Sequence, residues 1–589
     1  MIKFFNDTKN IEKIILLVFT LLSIYLTFNL HNKIPEFHYR SEIWSDKVGY
    51  YIYLPATFIY DFKTANFPEN IDHKTGDGFT LDVENDKVKT KYTCGVAILL
   101  TPVFLTTHLI ANIFNLEPTG FSKIYHNAVN VGAIIYLILG LLFLHKFLKK
   151  YFNLYSSLIA VFIIFISTNL FWYSIVETLM SHIYSFSLFA AFLYFSKQFI
   201  DSEKNKFRYF IVLSILLSLI ILIRPTNFIL GFILLFIDIK NFTDFKNRIF
   251  SILKLKYIAI FIIIFTIVIS PQLFYWKYLT GSFISYSYGE EGFIYWKNPK
   301  ILEVLFNPGN SLFLFTPVWI IIIISMILFI LKEKWLGISI TSFFVFIVYL
   351  SASWHSWSFG CSYGMRSITE YLTIFSIPLT FLIEKILTSK KKFLKIFMFM
   401  IISYFSFFNL KITYNYDGCF YGELWDWKEY YNYIDRNKLF IFTTNHYTYN
   451  NDFEDINYKK FTKHRENIFE DSKFSHSGSN SSKVDSVSCG FYGRLALIGI
   501  RKIQKANIEL YVYLPDSFIN GQLYTCIEDW DTTFFEDTLN ISGFEINKWN
   551  KIEHSVILPE TPQVQYIFVY CRTKNKEFYI DDLKIKFEY

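Results

Sequence analysis

Long apolar runs alternate with short polar loops over roughly the first 410 residues of this chain. Eleven of these runs predict membrane-spanning helices, because a span needs about 20 mostly apolar residues. A twelfth apolar run, residues 96–114, contains Pro102, His108 and three threonines, a composition poorly suited to a helix that faces lipid. The pattern predicts a polytopic α-helical membrane protein. Its predicted spans are residues 13–30, 126–147, 155–175, 182–200, 209–223, 227–239, 258–275, 313–331, 336–353, 369–387 and 393–411.

The distribution of basic residues predicts how these helices are oriented. If residues 96–114 do not cross the membrane, the loops on one side carry 22 Lys and Arg, whereas the short loops on the other side, 176–181, 224–226, 276–312 and 354–368, carry 5. Since Lys and Arg collect in cytoplasmic loops, we predict a cytoplasmic N-terminus and eleven crossings of the cytoplasmic (inner) membrane. Residues 31–125 then form a first outer loop, with 96–114 as an interfacial or re-entrant helix. The C-terminus lies on the periplasmic or extracellular side.

The pattern changes completely after residue 450. Polar sequence with short alternating strands and turn-rich spacers replaces the long apolar runs, which is typical of an antiparallel β-sandwich. We therefore predict a transmembrane domain at residues 1–450 and an outward-facing β-sandwich of the jelly-roll kind at 451–589. The clearest predicted strands are residues 508–514, 523–527, 556–558, 566–570 and 578–587.

Composition agrees with this division and excludes other classes of protein. A hydrophobic content of 53% and a mean hydropathy of +0.30 exclude a large soluble enzyme. The net charge of +7 is explained by basic loops between spans, so no nucleic-acid partner is expected. Six scattered cysteines without a CxxC spacing argue against a metal knuckle or a disulfide scaffold.

The first outer loop opens with a candidate catalytic acid. The run SDKVGYYIYLP at residues 45–55 places Asp46 among aromatic residues, with Glu42 four positions before it. A carboxylate beside a membrane surface can act as a base near neutral pH, because partial burial raises its pKa. Asp46 also suits the N-cap of a helix over residues 49–60. The run itself does not choose between the two interpretations.

Under the predicted topology, most of the unusual polar residues lie on the outer side. Aromatic faces can stack on sugars, cations can hold a phosphate and a carboxylate can take a proton, so the set suits a lipid-linked sugar. The aromatic residues equally suit the interfacial belt of a membrane protein, and Arg224 suits either a phosphate contact or snorkelling to the headgroups. The charged members are Asp46, Lys91, Glu177, His182, Arg224, Glu290, Glu291, Arg366 and Glu370.

The order of these motifs resembles the GT-C superfamily of integral membrane glycosyltransferases, which includes protein O-mannosyltransferases and aminoarabinose transferases. The resemblance covers about residues 1–410 and rests on order and topology. Asp46 is followed here by Lys47, where the mannosyltransferases carry two adjacent acids, so the position of a second acid is open. The motifs are the acid before a Tyr-rich helix, KYTCG at 91–95, ETLMSH at 177–182, Arg224-Pro225, YSYGEEGF at 286–293 and YGMR at 363–366.

This resemblance implies a polyprenyl-phosphate-linked sugar as donor and a glycan, lipid or protein as acceptor, with membrane lipids around the protein. Asp46 would deprotonate the acceptor hydroxyl, and transfer would invert the anomeric carbon. No cofactor is required and a divalent cation is left open. The alternative is a polysaccharide or lipid transporter, or flippase, with a sugar-binding tail. The implied substrate-binding residues are Lys91, Tyr92, Glu177, His182, Arg224, Glu291 and Arg366.

The tail resembles jelly-roll carbohydrate-binding modules in Phe453-Glu454, in the segment 477–484 and in YIDDL at 579–583. In that family an early Glu and a late Asp often flank a structural calcium, which makes Glu454 and Asp582 the candidate ligands. The same two residues also suit ordinary strand ends. Trp530 and Trp549 could be sugar platforms, although tryptophans in the core are the alternative.

Overall fold

The computed structural model describes residues 8–31, 36–37, 41–360, 362–416, 446–451, 469–485, 492–496, 505–517, 519–528, 533–558 and 566–588, with residues 427, 430, 431 and 434. The chain divides into two compact units, Met1–Leu410 and Lys411–Tyr589, which are described separately.

The first unit is helical. Among the described residues, nine helices are long and apolar enough to cross a membrane, and three shorter apolar helices accompany them. The chain is therefore a multi-pass membrane protein, while the count of eleven crossings stays a prediction. In chain order the helices are α1 (Thr8–Tyr25, continued by the π-helical turn Leu26–His31), α2 (Asp46–Tyr51), α3 (Tyr53–Phe58), α4 (Ile71–Lys74), α5 (Gly95–Phe114), α6 (Lys123–Leu148), α7 (Leu154–Ile166), α8 (Leu170–Ile175), α9 (Ser181–Asp201), α10 (Lys206–Ile223), α11 (Phe242–Ile252), α12 (Leu255–Thr280), α13 (Ile301–Phe306), α14 (Leu312–Phe315), α15 (Trp319–Lys332), α16 (Lys334–Ser353), α17 (Leu372–Thr388) and α18 (Lys392–Asn415), with 3₁₀ helices at Thr64–Asn66, Pro225–Leu235 and Arg366–Tyr371.

Two predicted spans are interrupted. The run 155–175 is divided into α7 and α8. At this break the Asn409 side-chain amide donates to the carbonyls of Ile166 (2.7 Å) and Thr168 (3.0 Å). A buried backbone carbonyl without a partner is costly in a membrane protein, so Asn409 compensates for the lost helical bonds. The run 313–331 is likewise divided, into α14 and α15, next to Pro317.

The apolar run 96–114 forms one continuous helix, α5, despite Pro102 inside it. By length and composition this helix is among the nine that could cross a membrane. Its predicted interfacial or re-entrant position, and the orientation of the termini that depends on it, stay predictions.

The first outer loop is compact and built on short elements. Helix α2 begins at Asp46, three residues earlier than the predicted helix, and α3 follows it after Ile52. A small antiparallel hairpin pairs β1 (Thr80–Asp82) with β2 (Lys87–Lys89). Hydroxyls of buried or partly buried tyrosines tie the loop to the segment before α6, since Tyr51 donates to the Gly120 carbonyl at 2.7 Å and Tyr60 to that of Thr119 at 2.6 Å.

The second unit contains two antiparallel sheets with a shared core. The strands are β3 (His446–Asn451), β4 (Phe469–Asp471), β5 (Ser481–Val484), β6 (Tyr492–Ala496), β7 (Lys505–Tyr513), β8 (Gly521–Glu528), β9 (Thr533–Asn540), β10 (Trp549–Ile557), β11 (Tyr566–Thr573) and β12 (Phe578–Glu588). One sheet has the order β10-β7-β12-β5-β4 with β3 also paired to β12, and the other has the order β6-β11-β8-β9. Apolar side chains from both sheets, such as Ile508, Leu523 and Val569, form one cluster, as expected of a sandwich.

The five predicted strands correspond to β7, β8, β10, β11 and β12. The predicted domain boundary needs correction, because residue 451 ends strand β3, which pairs with the Leu583–Glu588 end of β12. The β-unit therefore includes the residues of β3, and a boundary between residues 450 and 451 would divide a paired strand.

Candidate active site

Residues 90–94 are fixed by hydrogen bonds to the ends of two long helices. The Thr90 amide donates to the Tyr275 hydroxyl (2.8 Å), and the Cys94 amide donates to the Gln272 side chain (2.8 Å), both on α12. The Thr93 hydroxyl donates to the carbonyl of Ile223 at the end of α10 (3.0 Å). Lys91 and Tyr92 lie between these anchors, so the candidate residues are held by a rigid frame.

Asp46 lies beside Arg366 at the start of α2. Its Oδ2 is 3.2 Å from Arg366 Nη2, although 320 positions separate the two residues in sequence. The preceding residue, Ser45, has a φ of 49°, a conformation that L-residues rarely adopt and that tends to cluster at functional sites. Asp46 therefore forms an ion pair with the first residue of the 3₁₀ helix Arg366–Tyr371, and the N-cap of α2 is Ser45.

The pKa of Asp46 is lowered, which corrects the expectation of a raised value. Burial alone would raise the pKa, but the positive charge of Arg366, hydrogen bonding from Tyr92 and the charge of Lys91 together lower it further than burial raises it. The carboxylate is consequently ionised at neutral pH. The Asp46 carboxylate becomes a stronger base only when the positive charges of Arg366 and Lys91 are neutralised by another group.

Tyr92 is buried against the first turns of the loop. Its ring lies 4.4 Å from that of Tyr50, measured between centroids. Gly49 permits this packing, because a Cβ at that position would lie 2.2 Å from Tyr92 Cδ2. Burial and the neighbouring Asp46 raise the pKa of Tyr92 above its ordinary value, so its hydroxyl stays protonated and can donate to the carboxylate.

Lys91 is paired with Glu291 from the loop after α12. The distance between Lys91 Nζ and Glu291 Oε1 is 2.6 Å. Lys91 Nζ also lies over the rings of Tyr92 (5.6 Å) and Tyr288 (5.7 Å), and the Ser287 hydroxyl donates to the Lys91 carbonyl (2.7 Å). About a third of each charged side chain is exposed, so both remain accessible to a ligand.

Glu177 is held by Lys47, the residue that directly follows Asp46. Lys47 Nζ lies 2.9 Å from Glu177 Oε2, and the lysine side chain is buried. A buried lysine needs a paired carboxylate, so Lys47 fixes the position of Glu177.

Arg224 and His182 share Glu370 as their acceptor. Glu370 Oε1 accepts from Arg224 Nη1 (3.1 Å) and from the Asn227 amide (3.2 Å), and Oε2 lies 2.9 Å from His182 Nδ1. Both Glu370 and His182 are fully buried, whereas the Arg224 side chain is 22% exposed. In this conformation His182 reaches a substrate only indirectly, through Glu370 and Arg224, so its predicted binding role stays a prediction.

A second buried network anchors the start of the outer loop. Glu42 accepts from His126 Nδ1 (2.8 Å) and Asn130 Nδ2 (2.9 Å) on α6, and the Thr178 hydroxyl donates to Asn130 Oδ1 (2.7 Å). Burial alone would raise the pKa of Glu42, but the bond and charge of His126 lower it to about 2. The network thus connects the loop before Asp46 to the residue after Glu177.

The sequence analysis named Glu42 and Lys47 without assigning them to the site, and it counted Glu370 in the outer set without giving it a role. Glu370 carries the strongest available signal, because an acid within an apolar span is rare and usually paired. Nothing in the spacing of Glu42 or Lys47 points to His126 or Glu177 as the partner.

The described residues provide no site for the divalent cation that the sequence analysis left open. In the part of the chain that the structure describes, no group of three His, Cys, Asp or Glu side chains could hold a metal ion. Of the two candidate calcium ligands in the tail, Glu454 lies outside the described residues. Asp582 is bonded to the His476 ring (2.6 Å) and to the Ser477 hydroxyl (2.7 Å).

The tail also carries a cluster of aromatic side chains. The ring of His476 stacks on Tyr511 at 3.6 Å, and Trp549 lies 5.5 Å from Tyr513 and 5.7 Å from His476. Trp549 is only half-buried and lies outside the apolar cluster of the sandwich, so it is not a core tryptophan. Trp530 lies outside the described residues.

No family model matches the sequence, and no curated protein matches it. Among solved structures, the chain is similar to a crystal structure of the Archaeoglobus fulgidus oligosaccharyltransferase in complex with Zn and sulfate, at 15% identity over 72% of this chain and 55% of that chain (TM-score 0.44). It is similar to the archaeal oligosaccharyltransferase AglB of the same organism with an inhibitory peptide and a dolichol-phosphate, at 13% identity over 68% of this chain and 55% of that one (TM-score 0.40). The chain thus spans about half the length of these two structures.

The tail is similar to the CBM22-1 xylan-binding domain of Paenibacillus barcinonensis Xyn10C. The identity is 15%, over 20% of this chain and 80% of that chain, with a TM-score of 0.17. At these identities and TM-scores, none of the likenesses assigns an activity, a donor or an acceptor to this chain.

Proposed function

We propose that this protein is a membrane glycosyltransferase that transfers a sugar from a polyprenyl-phosphate-linked donor to an acceptor hydroxyl on the outer side of the membrane. One observation carries the proposal: an ionised carboxylate, Asp46, lies 3.2 Å from Arg366 and is also influenced by Lys91 and Tyr92. A base and two cations at one site meet the needs of a reaction in which a hydroxyl loses a proton and a phosphate leaves. The acceptor is a glycan, a lipid or a protein.

In this mechanism, the ion pair between Asp46 and Arg366 is present before the donor binds. The donor phosphate binds Arg366 and Lys91, whose charges it needs, and so competes with Asp46 and Glu291 for them. When Arg366 turns to the phosphate, the pKa of Asp46 rises because its strongest cationic neighbour is engaged. Donor binding therefore makes Asp46 a better base at the time when a base is needed.

In the transfer step the acceptor oxygen attacks the anomeric carbon, and its proton passes to Asp46. The bond between that carbon and the phosphate oxygen breaks, and the phosphate leaves with the electron pair. Arg366 and Lys91 stabilise the negative charge that develops on the phosphate. Such an electrostatic contribution is typically worth about 3 kcal/mol for each hydrogen-bond donor. Attack from the face opposite the phosphate inverts the anomeric configuration.

Arg224 and Glu177 surround this centre in the proposal. Glu370 holds the Arg224 guanidinium in one orientation with its outer edge exposed, which suits a further contact to the donor phosphate. Lys47 holds Glu177, which suits a carboxylate that orients sugar hydroxyls. Tyr92 positions Asp46, and His182 acts through Glu370.

The experiment that tests the proposal reconstitutes the full chain in liposomes with a radiolabelled polyprenyl-phosphate sugar and a mixture of envelope glycans, lipids and peptides. A glycosyltransferase releases free polyprenyl phosphate and moves the label to an acceptor. A transporter or flippase moves the intact donor across the bilayer without cleaving it. Transbilayer movement with no release of polyprenyl phosphate would reject the proposed function in favour of transport.

A further inference from the structure

The short helix α11 (Phe242–Ile252) is amphipathic and lies between the 3₁₀ segment Pro225–Leu235 and the long helix α12. All of its residues are described, and none of them is buried. Its start is fixed by Asn241, whose side chain accepts from the Asp244 amide at 2.9 Å. With 3.6 residues per turn, the apolar and the polar side chains divide the circumference of the helix into two arcs.

One half of the apolar arc packs onto the rest of the unit. The ring of Phe245 lies 5.4 Å from that of Phe236 and is stacked 6.3 Å from that of Trp335. Nearby, Arg248 Nη1 donates to the Leu234 carbonyl at 2.9 Å. Helix α11 is therefore held in place along this side.

The other half of the apolar arc is exposed. Phe242 and Phe250 on the helix, and Leu253 directly after it, are each more than half exposed. Leu255, the first residue of α12, is 82% exposed, and α12 is long and apolar enough to cross a membrane. The exposed surface of α11 thus continues onto a predicted span, which places it where an in-plane helix meets the bilayer interface.

Basic residues surround this exposed surface. Residues 240–256 contain five Lys and Arg and a single acid, Asp244, whose Oδ2 accepts from the Lys240 amide at 3.1 Å. In the part of the chain that the structure describes, no carboxylate pairs with Lys246, Lys254 or Lys256. Three positive charges are therefore available to an anion.

These lysines differ from a lysine at the end of α9, on the same side in the predicted topology. Lys197 pairs with Asp201 and Asp238, at 2.8 Å each. The Lys246 ammonium instead lies 5.9 Å from the centre of the Phe250 ring, and that of Lys256 lies 5.0 Å from the Tyr257 ring. Their charges are thus carried at the border of the apolar surface, as in side chains that reach from an apolar layer to headgroups.

We infer that the exposed face of α11 binds an anionic phospholipid of the adjoining leaflet. The acyl chains cover Phe250 and Leu253, and the phosphate pairs with Lys246, Lys254 and Lys256. Charge complementarity selects an acidic headgroup, because the choline cation of a zwitterionic lipid would be repelled by the same lysines. A soluble protein suits the surface less well, since the surface continues onto a helix that faces lipid.

Photo-crosslinking of the full-length protein tests the inference. The protein carries p-benzoylphenylalanine in place of Phe250 and is reconstituted in nanodiscs with equal amounts of phosphatidylglycerol and phosphatidylcholine that have identical acyl chains. Mass spectrometry should show phosphatidylglycerol captured about tenfold or more in excess, since each lysine near an anionic headgroup contributes roughly fivefold. The matched control position is Ile263 on α12, which is 55% exposed and should capture the two lipids in the ratio of the bilayer.

Charge variants test the role of the lysines. The triple change Lys246→Gln, Lys254→Gln and Lys256→Gln should bring the capture ratio close to that of the bilayer, and added salt should weaken the wild-type preference. The control removes the same charge at the start of α18, where the exposed residues Lys390, Lys391 and Lys392 become Gln, and should keep the preference. Thermal unfolding checks the fold of each variant, and single changes, each expected to lower the ratio about fivefold, replace the triple if it unfolds.

Four results would overturn the inference. In two of them the wild type captures the lipids in the bilayer ratio, or the triple variant keeps the preference. In the third, the control at α18 loses the preference equally, which would make the total charge of the protein the cause. In the fourth, the label at position 250 reacts with a second copy of the chain in place of lipid, which would make this face a protein interface.

Discussion

Two pairs of a carboxylate and an arginine lie in the same unit and differ in burial. Asp46 pairs with Arg366 at 3.2 Å and Glu370 with Arg224 at 3.1 Å. The Asp46 side chain is 36% exposed, whereas that of Glu370 is fully buried. Similar distances thus join groups in very different environments.

The number of partners differs in the same way. Glu370 accepts from Arg224, Asn227 and His182, so both of its oxygens are engaged, as a buried charge requires. Asp46 has two such partners, Arg366 and Tyr92, and its side chain is partly exposed. An ion pair that solvent reaches can exchange one partner for a substrate, and a buried pair cannot do so without a large penalty. We therefore assign chemistry to Asp46 and scaffolding to Glu370.

The largest effect on stability is expected from Glu370→Ala. The change leaves Arg224 and His182 without their shared acceptor, and removal of one partner of a buried pair typically costs about 3–5 kcal/mol. Thermal unfolding of the purified protein in detergent should show a strongly lowered Tm. Glu291→Ala removes the acid of a partly exposed pair and should cost about 1 kcal/mol or less. Equal Tm values for the two variants would show that burial of an ion pair does not set the cost of losing its acid.

Arg366→Ala should affect turnover more than stability. Loss of one phosphate contact in the transition state costs about 3 kcal/mol, or about a hundredfold in rate. Arg366→Lys keeps the charge without the planar fork and should cost less. The measurement is the transfer rate together with Tm, with the exposed Arg208→Ala as control. If Arg366→Ala transfers normally, the phosphate contact passes to Lys91 or Arg224.

Glu42→Gln tests whether the buried network supports the fold without taking part in chemistry. Replacing the carboxylate weakens its bond to His126 and should cost about 1–3 kcal/mol. Because folding lowers the pKa of Glu42 from 4.5 to about 2, its contribution is present above pH 4.5 and is lost as the pH falls towards 2. The Tm difference between wild type and variant should shrink over that interval. A difference that persists at pH 2 would argue against the charged pair.

The smallest effect is a shift in the pH profile. In the free enzyme Arg366 holds the pKa of Asp46 below its ordinary value of 3.8, so the acid limb of kcat/KM should lie below that pH. In Arg366→Ala the acid limb of the residual activity should move to higher pH, because the arginine charge that lowers the pKa of Asp46 is gone. A wild-type limb near pH 6 would assign the essential base to a group other than Asp46.

Much of the fold follows from local pattern. The long apolar runs predicted the helices, and alternation predicted β7, β8, β10, β11 and β12, because each signal resides within one element. The breaks between α7 and α8 and between α14 and α15 were missed, since hydropathy does not report where a neighbouring side chain such as Asn409 compensates for lost backbone bonds.

The candidate site could be predicted only in part, because the sequence shows unusual residues but not which of them meet in the fold. Candidate residues could be identified from unusual charge, but their partners could not, because Asp46 and Arg366 meet only through the folding of the whole helical unit. The predicted direction of the Asp46 pKa shift was wrong for this reason. The sequence suggested that the carboxylate is partly buried, which raises the pKa, but it did not show that Arg366 lies beside it and lowers the pKa. The pairing of β3 with β12 was not predicted, because it joins segments that are distant in sequence.

The most direct measurement of the central claim is a single-turnover experiment with Asp46→Asn, in which donor is bound before acceptor is added. The amide keeps the size of the side chain but cannot take the proton. Donor binding should stay close to that of the wild type, while the transfer rate falls by about 10²–10⁴-fold. Asp61→Asn, an exposed residue of the same loop, should leave both unchanged. Transfer by Asp46→Asn at nearly the wild-type rate would contradict the assignment of Asp46 as the base.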